Sequence, residues 1–159
     1  MSVNAPNHTS YKGIPISKDA FVVIVKTEWN VSIVDELEKG CMKILSECGV
    51  GFKTLTVPGA FEIPYIIKQY YQTHQETVTA FIALGCVIQG DTPHFDYVCK
   101  AVTDGILQLN ISLDIPTIFG ILTVNTEAQA LDRIGGAHGH KGEEAAMTAL
   151  KMITCKQSI

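Results

Sequence analysis

Three short apolar runs constrain the fold of this chain more than any other feature. They are Phe21–Thr27 (FVVIVKT), Phe81–Ile88 (FIALGCVI) and Thr117–Val124 (TIFGILTV), and Lys53–Gly59 (KTLTVPG) is a weaker run of the same kind. The three strong runs are rich in β-branched residues and are apolar on both alternating faces. Such continuous apolarity predicts strands that are covered on both sides, as in a parallel sheet.

Between these runs, apolar residues recur at spacings of three and four, which predicts helices with one buried face. Phe61–Tyr71 is also predicted to be helical, because Pro64 is tolerated in a first helical turn. The alternation of strands and helices predicts a three-layer α/β sandwich, with right-handed crossovers and a parallel sheet of four or five strands. The periodic positions are Ile33, Leu37, Cys41, Ile44 and Cys48; Phe95, Val98, Val102, Ile106 and Leu109; Ala128, Leu131 and Ile134; and Ala146, Ala149, Leu150 and Ile153.

Length and composition narrow the class of protein. The 159 residues are predicted to form one domain, residues 19–159, after an arm, residues 1–18, rich in Ser, Asn, Pro and Gly. A net charge of −4 and a pI near 5.7 argue against a binder of nucleic acid or of membrane surfaces. The sequence shows no signal peptide and no apolar run of about 20 residues, so the expected location is the cytoplasm. Five cysteines without compact spacing indicate small, mostly buried side chains in a reducing compartment.

The loops that follow the strands are the expected ligand-binding loops, because ligands of such sheets bind beyond the carboxyl ends of the strands. The first contains Trp29, the one tryptophan of the chain, and Asn30. The second (VPGAFEIP) combines the small residues Gly59 and Ala60 with a carboxylate, Glu62. Taken alone, Trp29 is more typical of a packing anchor than of a ligand platform, and Glu62 is equally typical of a carboxylate that stabilises a helix start. The four loops are Lys26–Asn30, Val57–Glu62, Gln89–His94 and Thr123–Thr126.

The third of these loops lies within VIQGDTPHFDYV and has a helix-start pattern. Thr92 is predicted to be an N-cap and Pro93 the first helical residue, where no amide hydrogen is needed. The free amides of such a helix start attract an anion. His94 on the first turn would face the same crevice, where a neutral imidazole accepts a proton. An ordinary helix start with a solvated histidine has the same pattern.

A later segment, LDRIGGAHGHKGEEAA, offers Arg133 near a helix end and Lys141 before the next helix. The guanidinium of Arg133 could grip two phosphate oxygens, or it could compensate a helix dipole ahead of a flexible turn at Gly135–Gly142. His138 and His140 lack an acidic or thiolate partner nearby, so no metal site is expected. The sequence has neither a Walker A motif nor GxGxxG, which leaves classical nucleotide binding unsupported.

Four motifs occur in order from Phe21 to the last helix: VPGAFEIP, GCVIQGDTPHFDYVC, IFGILTVNTEAQALDR and HKGEEAA. Together they resemble the lumazine synthase family, transferases of riboflavin biosynthesis. The resemblance implies a flavodoxin-like α/β/α sandwich with a four-stranded parallel sheet, extended by an N-terminal strand that docks on a neighbour. It also implies homo-oligomers, pentamers or assemblies of pentamers, with sites between subunits, no cofactor, no metal, and riboflavin synthase as a further partner.

The implied reaction condenses 5-amino-6-(D-ribitylamino)uracil with 3,4-dihydroxy-2-butanone 4-phosphate. An imine forms, phosphate is eliminated, and ring closure with loss of water produces 6,7-dimethyl-8-ribityllumazine. The resemblance makes His94 the proton-transfer residue and assigns Lys141 a less defined role. It assigns phosphate binding to Asp91, Thr92 and Arg133, and pyrimidine or ribityl binding to Trp29, Asn30, Ala60, Phe61, Glu62, Cys86, Val87, Ile88 and a neighbour's Phe119.

Two positions depart from the family pattern, Gln89, where a basic residue is common, and Asp91, where Ala or Glu is common. A carboxylate beside a phosphate would repel it, so Asp91 is expected to contribute its backbone amide. Two other functions fit the same sequence: a non-catalytic carrier or store for a flavin or lumazine, and a scaffold whose assembly is itself the function. Intact His94 and Arg133 favour the enzyme, because a carrier needs neither a proton-transfer group nor a phosphate clamp.

Overall fold

A computed structural model describes residues 13–159 and has four parallel strands in the order β2-β1-β3-β4. The four-stranded parallel sheet is confirmed, and its order is that of flavodoxin-like folds. A short turn of 3-10 helix at Ala60–Glu62 precedes α2. The strands are β1 (Phe21–Thr27), β2 (Gly51–Val57), β3 (Ala80–Ile88), β4 (Thr117–Val124), β5 (Ile134–Gly136) and β6 (Gly139–His140); the helices are α1 (Val31–Glu47), α2 (Ile63–His74), α3 (His94–Ser112), α4 (Glu127–Leu131) and α5 (Lys141–Gln157).

Helices cover both faces of the sheet and create two apolar cores. Because side chains alternate along a strand, Val22 and Ile24 of β1 face one layer while Val23 and Val25 face the other. The first core joins the sheet to α1 and α5, and the second joins it to α2 and α3. This is the predicted three-layer arrangement. None of the helices between residues 13 and 159 has the length and apolarity needed to cross a bilayer.

Helices α1 and α5 approach closely at a glycine. A Cβ atom built on Gly142 would lie 2.0 Å from the carbonyl oxygen of Leu37. In the same contact, the thiol of Cys41 donates a hydrogen bond to the Gly142 carbonyl at 3.0 Å. Burial raises the pKa of the Cys41 thiol to about 12, against a lowering hydrogen bond from the backbone of Ala146.

This buried thiol is expected to make the protein less stable in alkali. In the unfolded chain the thiol ionises near its ordinary pKa of 9.0, whereas the folded state holds the proton to about pH 12. The free energy of unfolding should therefore fall by about 1.4 kcal/mol per pH unit above pH 9 through this group. Urea unfolding of the parent and of Cys41→Ala between pH 8 and 11 tests this, and the two curves should converge. Parallel curves would contradict it.

The predicted start of α3 and the predicted end of α4 were wrong. Helix α3 begins at His94 with Pro93 as its N-cap, so Thr92 forms no capping hydrogen bond. The reason is that the Pro93 carbonyl already accepts the amide of Asp96 at 3.0 Å, which moves the helix start one residue on. Helix α4 ends at Leu131, and Ile134 instead pairs with His140 in the β5–β6 hairpin.

The hairpin also corrects the predicted turn at Gly135–Gly142. Gly135 has φ of 114°, which a helix cannot continue through and a tight hairpin favours. Helix α5 already begins at Lys141, because the imidazole of His140 accepts the amide of Glu143 at its N-terminus. Gly142 therefore belongs to the first turn of α5.

The predicted arm lies mostly outside the described residues, which begin at Gly13. Within its described part, Ile14 and Ile16 pack against the core formed by α1 and α5. The hydroxyl of Thr154 on α5 donates to the carbonyl of Pro15 at 3.2 Å. Residues 13–18 thus run along their own subunit without forming a strand. Docking of the arm on a neighbour stays a prediction.

Candidate active site

The chain leaves β1 towards one edge of the sheet and leaves β3 towards the other, so a crevice opens between the carboxyl ends of these two strands. A cavity of about 460 Å³ lies there. It brings together nine of the predicted site residues, from the segments after β1 and β2, the end of β3 and the start of α3. The lining residues are Thr27, Trp29, Asn30, Gly59, Ala60, Phe61, Glu62, Cys86, Val87, Ile88, His94 and Val98.

One edge of β3 has no neighbouring strand where it reaches the cavity, and we call it the free edge of β3. The pairing of β1 with β3 ends at Lys26 and Leu84, whereas β3 continues to Ile88, paired only with β4. The carbonyl of Cys86 accepts a hydrogen bond from the Asn30 side chain at 2.8 Å on this free edge. Alternate residues of a strand direct their peptide groups to opposite neighbours, so those of Ile88 face the cavity as well. A planar heterocycle could hydrogen-bond to this edge.

Asn30 holds the loop between β1 and α1 in place. Its φ of 55° is left-handed, a conformation that asparagine tolerates better than most residues. The hydroxyl of Thr27 donates to the carbonyl of Trp29 at 3.2 Å, which fixes the preceding residue. The Trp29 side chain itself is 73% exposed, so it is not a packing anchor of the described fold. The loop instead presents an indole face beside the cavity, on which a planar ring could stack.

Gly59 allows a carboxylate and this indole to meet on one wall of the cavity. A Cβ atom at Gly59 would lie 3.0 Å from Oε2 of Glu62 and 3.7 Å from Cδ1 of Trp29. Any larger residue at this position would therefore displace the carboxylate. Ala60 is buried beneath the wall, and the ring of Phe61 is 65% exposed. The wall combines an acceptor for hydroxyl groups with apolar surface.

His94 and Glu62 are the solvent-exposed side chains of the cavity that could exchange a proton with a ligand. His94 is the first residue of α3 and is exposed, with Val98 one turn further on. Its imidazole forms no hydrogen bond to any other residue of the described range 13–159, so it is available to a ligand. The Cys86 thiol is unsuitable, because burial, aided by the charge of Glu127, raises its pKa to about 11. No group of three or more His, Cys, Asp or Glu side chains that could hold a metal occurs in residues 13–159.

Five predicted site residues do not line this cavity. Asp91 and Thr92 are exposed on the loop that precedes His94. Phe119 is 42% exposed on the edge strand β4. Arg133 donates to the carbonyl of Gln129 at 2.7 Å, the helix-end role considered above, and Lys141 pairs with Glu144 at 2.7 Å. The roles of these five residues therefore stay predictions.

Comparison with known proteins decides the family. The family model described as 6,7-dimethyl-8-ribityllumazine synthase matches residues 19–157. The chain belongs to the 6,7-dimethyl-8-ribityllumazine synthase family. The resemblance drawn from the four motifs is thereby confirmed, as is the prediction of an enzyme family.

Individual members of the family match along nearly their whole length. A 6,7-dimethyl-8-ribityllumazine synthase of Porphyromonas gingivalis is 49% identical over 145 residues, which cover 89% of each chain. One of Parabacteroides distasonis is 44% identical over 90% of each chain. One of Cytophaga hutchinsonii is 43% identical over 96% of this chain and 98% of its own length. The lumazine synthase match thus leaves no large part of the domain unaccounted for.

Two residues that line the cavity of this lumazine synthase family member, Thr27 and Val98, were not predicted as site residues. Thr27 is a polar residue, 2% exposed, at the end of an apolar strand, and that contrast was a usable signal. Val98 lies four residues after His94, and helical spacing alone would have put the two on one face. Gly59 was noted for close backbone approach and proves to face both Glu62 and Trp29.

Proposed function

We propose that this protein condenses 5-amino-6-(D-ribitylamino)uracil with 3,4-dihydroxy-2-butanone 4-phosphate, releasing phosphate and water and forming 6,7-dimethyl-8-ribityllumazine. The observation that carries the proposal is the cavity between β1 and β3, which gathers Trp29, Glu62, His94 and the free edge of β3. The family match supports the same reaction, because its members carry the product in their name.

The pyrimidine substrate is proposed to stack on Trp29 and to hydrogen-bond to the free edge of β3 at Cys86 and Ile88. Asn30 would border the ring, since its side-chain amide already binds the Cys86 carbonyl. The ribityl chain would run along the wall of Ala60, Phe61 and Glu62, with the Glu62 carboxylate accepting from a hydroxyl. Val87 contributes surface: its peptide groups point to β4 by the alternation of the strand.

The phosphate of the second substrate is proposed to bind at the loop before α3. Asp91 and Thr92 would donate backbone amides near the start of that helix, where a negative charge is favoured. The exposed Asp91 side chain can point into solvent, which reduces its repulsion of the phosphate. Arg133 would complete this site from a neighbouring subunit, and Phe119 would reach the pyrimidine in the same way.

His94 is proposed to move protons during imine formation and phosphate elimination. As an acid, it assists loss of water after the amine adds to the ketone; as a base, it takes the carbon-bound proton when phosphate leaves. General acid–base assistance contributes about 10²–10⁴ in rate. Holding the amine and the ketone together in the cavity would supply much of the remaining acceleration.

A direct assay tests the proposal. Purified protein is mixed with the diamine and the butanone phosphate, and lumazine absorbance is followed above the spontaneous rate. Product formation that depends on the protein is expected. A folded, assembled protein with no rate above background would contradict the synthase. Tight flavin binding in that case would favour the carrier, and ultracentrifugation would show which assembly forms.

Mixed assemblies test whether the site is shared between subunits. His94→Ala and Arg133→Ala subunits are each expected to be weakly active alone. If His94 and Arg133 meet across an interface, random one-to-one mixing gives intact pairs at one half times one half, roughly a quarter, of the interfaces. Activity after co-refolding should therefore rise towards that fraction of the parent. A mixture no more active than its separate components would place both residues in one subunit's site.

A further inference from the structure

A half-buried ion cluster joins β1 to α1 next to Thr27, the β1 residue that lines the cavity. Lys26 is the last β1 residue that pairs with both neighbouring strands, so its backbone is held on two sides. Its ammonium group contacts Oδ1 of Asp35 at 2.8 Å and Oε2 of Glu38 at 2.5 Å, both on α1. The side chains of Lys26 and Glu38 are only 17% and 15% exposed. This is far more burial than an ordinary surface ion pair has.

The cluster spans the loop that carries Trp29. Only Glu28, Trp29 and Asn30 lie between the end of β1 and the start of α1. Asp35 and Glu38 are three residues apart, so both project from one side of the helix. Lys26 therefore ties the N-terminal half of α1 to the end of β1, across a connection of three residues.

The Trp29 loop is held through its backbone, by the amide of Glu28 donating to Val57 and by the Thr27 and Asn30 contacts, whereas its indole has little packing of its own. Its indole is 73% exposed, so core packing does not fix it. Its carbonyl accepts from Thr27, and the next residue, Asn30, is left-handed, binds the Cys86 carbonyl and directly precedes α1. A shift of the first turn of α1 would therefore also displace Asn30 and Trp29, which directly precede it in the chain.

Loss of the Lys26 charge would leave two neighbouring carboxylates unpaired, one of them mostly buried. An uncompensated buried charge is strongly unfavourable, and two like charges repel. Relief requires the two carboxylates to turn towards solvent or the first turn of α1 to shift against the packing of Ile33 and Val34 in the core.

We propose that Lys26, through Asp35 and Glu38, is a positioning residue that sets the Trp29–Asn30 wall for the pyrimidine substrate. Only the expected change in KM for the diamine rests on the proposed function. The phosphate-binding loop before α3 is held by β3 and not by α1, so the butanone phosphate should be little affected.

The test compares Lys26→Met with Lys26→Arg and with Lys39→Met, which removes an exposed pair with Glu36 on the same helix. Trp29 is the one tryptophan, so its emission reports this loop alone. Lys26→Met is expected to shift the emission and to raise KM for the diamine about tenfold, with KM for the butanone phosphate changed less than about twofold. Lys26→Arg should restore both readouts, and Lys39→Met should leave them unchanged.

Unchanged emission and diamine KM in Lys26→Met would overturn the proposal, and so would an equal rise in both KM values. If Lys26→Met does not fold, Asp35→Asn combined with Glu38→Gln removes the helix side of the tie and is judged by the same readouts. If the parent protein makes no lumazine, the proposed function fails alone. Trp29 emission and its quenching by the diamine then still decide the role of Lys26.

Discussion

Replacing His94 by alanine is expected to lower kcat for lumazine formation about a hundredfold while leaving the protein folded. His94 is exposed at the start of α3 and makes no hydrogen bond within residues 13–159, so its removal leaves no buried group without a partner. The loss should fall on kcat, because the proton transfers are needed in the transition states. The spatial arrangement of the two substrates, which Trp29 and Glu62 would secure, remains.

The matched control is His74→Ala. His74 is also an exposed histidine, but it lies at the end of α2, where its ring stacks on Tyr70 at 4.0 Å. It should leave kcat within about twofold, since it lies outside the cavity. Steady-state kinetics on both variants measure kcat, and circular dichroism checks that both are folded. If His94→Ala retains the full rate, His94 has no part in the mechanism.

Replacing Gly142 by alanine is expected to destabilise the domain by roughly 3 kcal/mol or more. Alanine normally improves a helix by about 1 kcal/mol over glycine. Here the new Cβ would lie 2.0 Å from the Leu37 oxygen and 2.7 Å from its carbonyl carbon. These are backbone atoms of α1, so they cannot turn aside as a side chain would. The two helices would have to separate, which also breaks the Cys41 hydrogen bond.

Gly90→Ala provides the comparison for this second prediction. A Cβ atom at Gly90 would have no heavy atom within 4 Å. Its free energy of unfolding should therefore change by less than about 1 kcal/mol. Urea denaturation of both variants measures the difference. Equal stabilities would show that α1 and α5 can adjust at Gly142 without cost.

The strands and most helices were predictable from the sequence because their signals are local. Continuous β-branched runs marked β1, β3 and β4 to within one residue, and spacings of three and four marked α1, α3 and α5. Helix ends were less predictable. The start of α3 at Pro93 and the end of α4 before Ile134 depend on single hydrogen bonds and on the conformation of Gly135. The spacing of apolar residues, which averages over several turns, does not detect such features.

The clustering of candidate site residues was also predictable, since the carboxyl ends of parallel strands meet at one edge of a sheet. Trp29 and Glu62 follow β1 and β2, Cys86 lies at the end of β3 and His94 at the start of α3, and all four line one cavity. Phe119, which the resemblance had assigned to a neighbour, Arg133 and Lys141 do not line that cavity in this chain. The order of motifs along a chain does not encode which side chains the packing brings to a cavity.

The sequence by itself determined the layers, the strand direction and the loops at the crevice, because backbone geometry imposes those periods on any chain. Only the tertiary structure decided the contacts that make the crevice specific. The Asn30 amide meets the Cys86 carbonyl 56 residues away, and the Cys41 thiol meets the Gly142 carbonyl 101 residues away. Lys26 pairs with Asp35 and Glu38 only because α1 packs over β1 in one register. Such contacts depend on how separate elements pack, which no local pattern encodes.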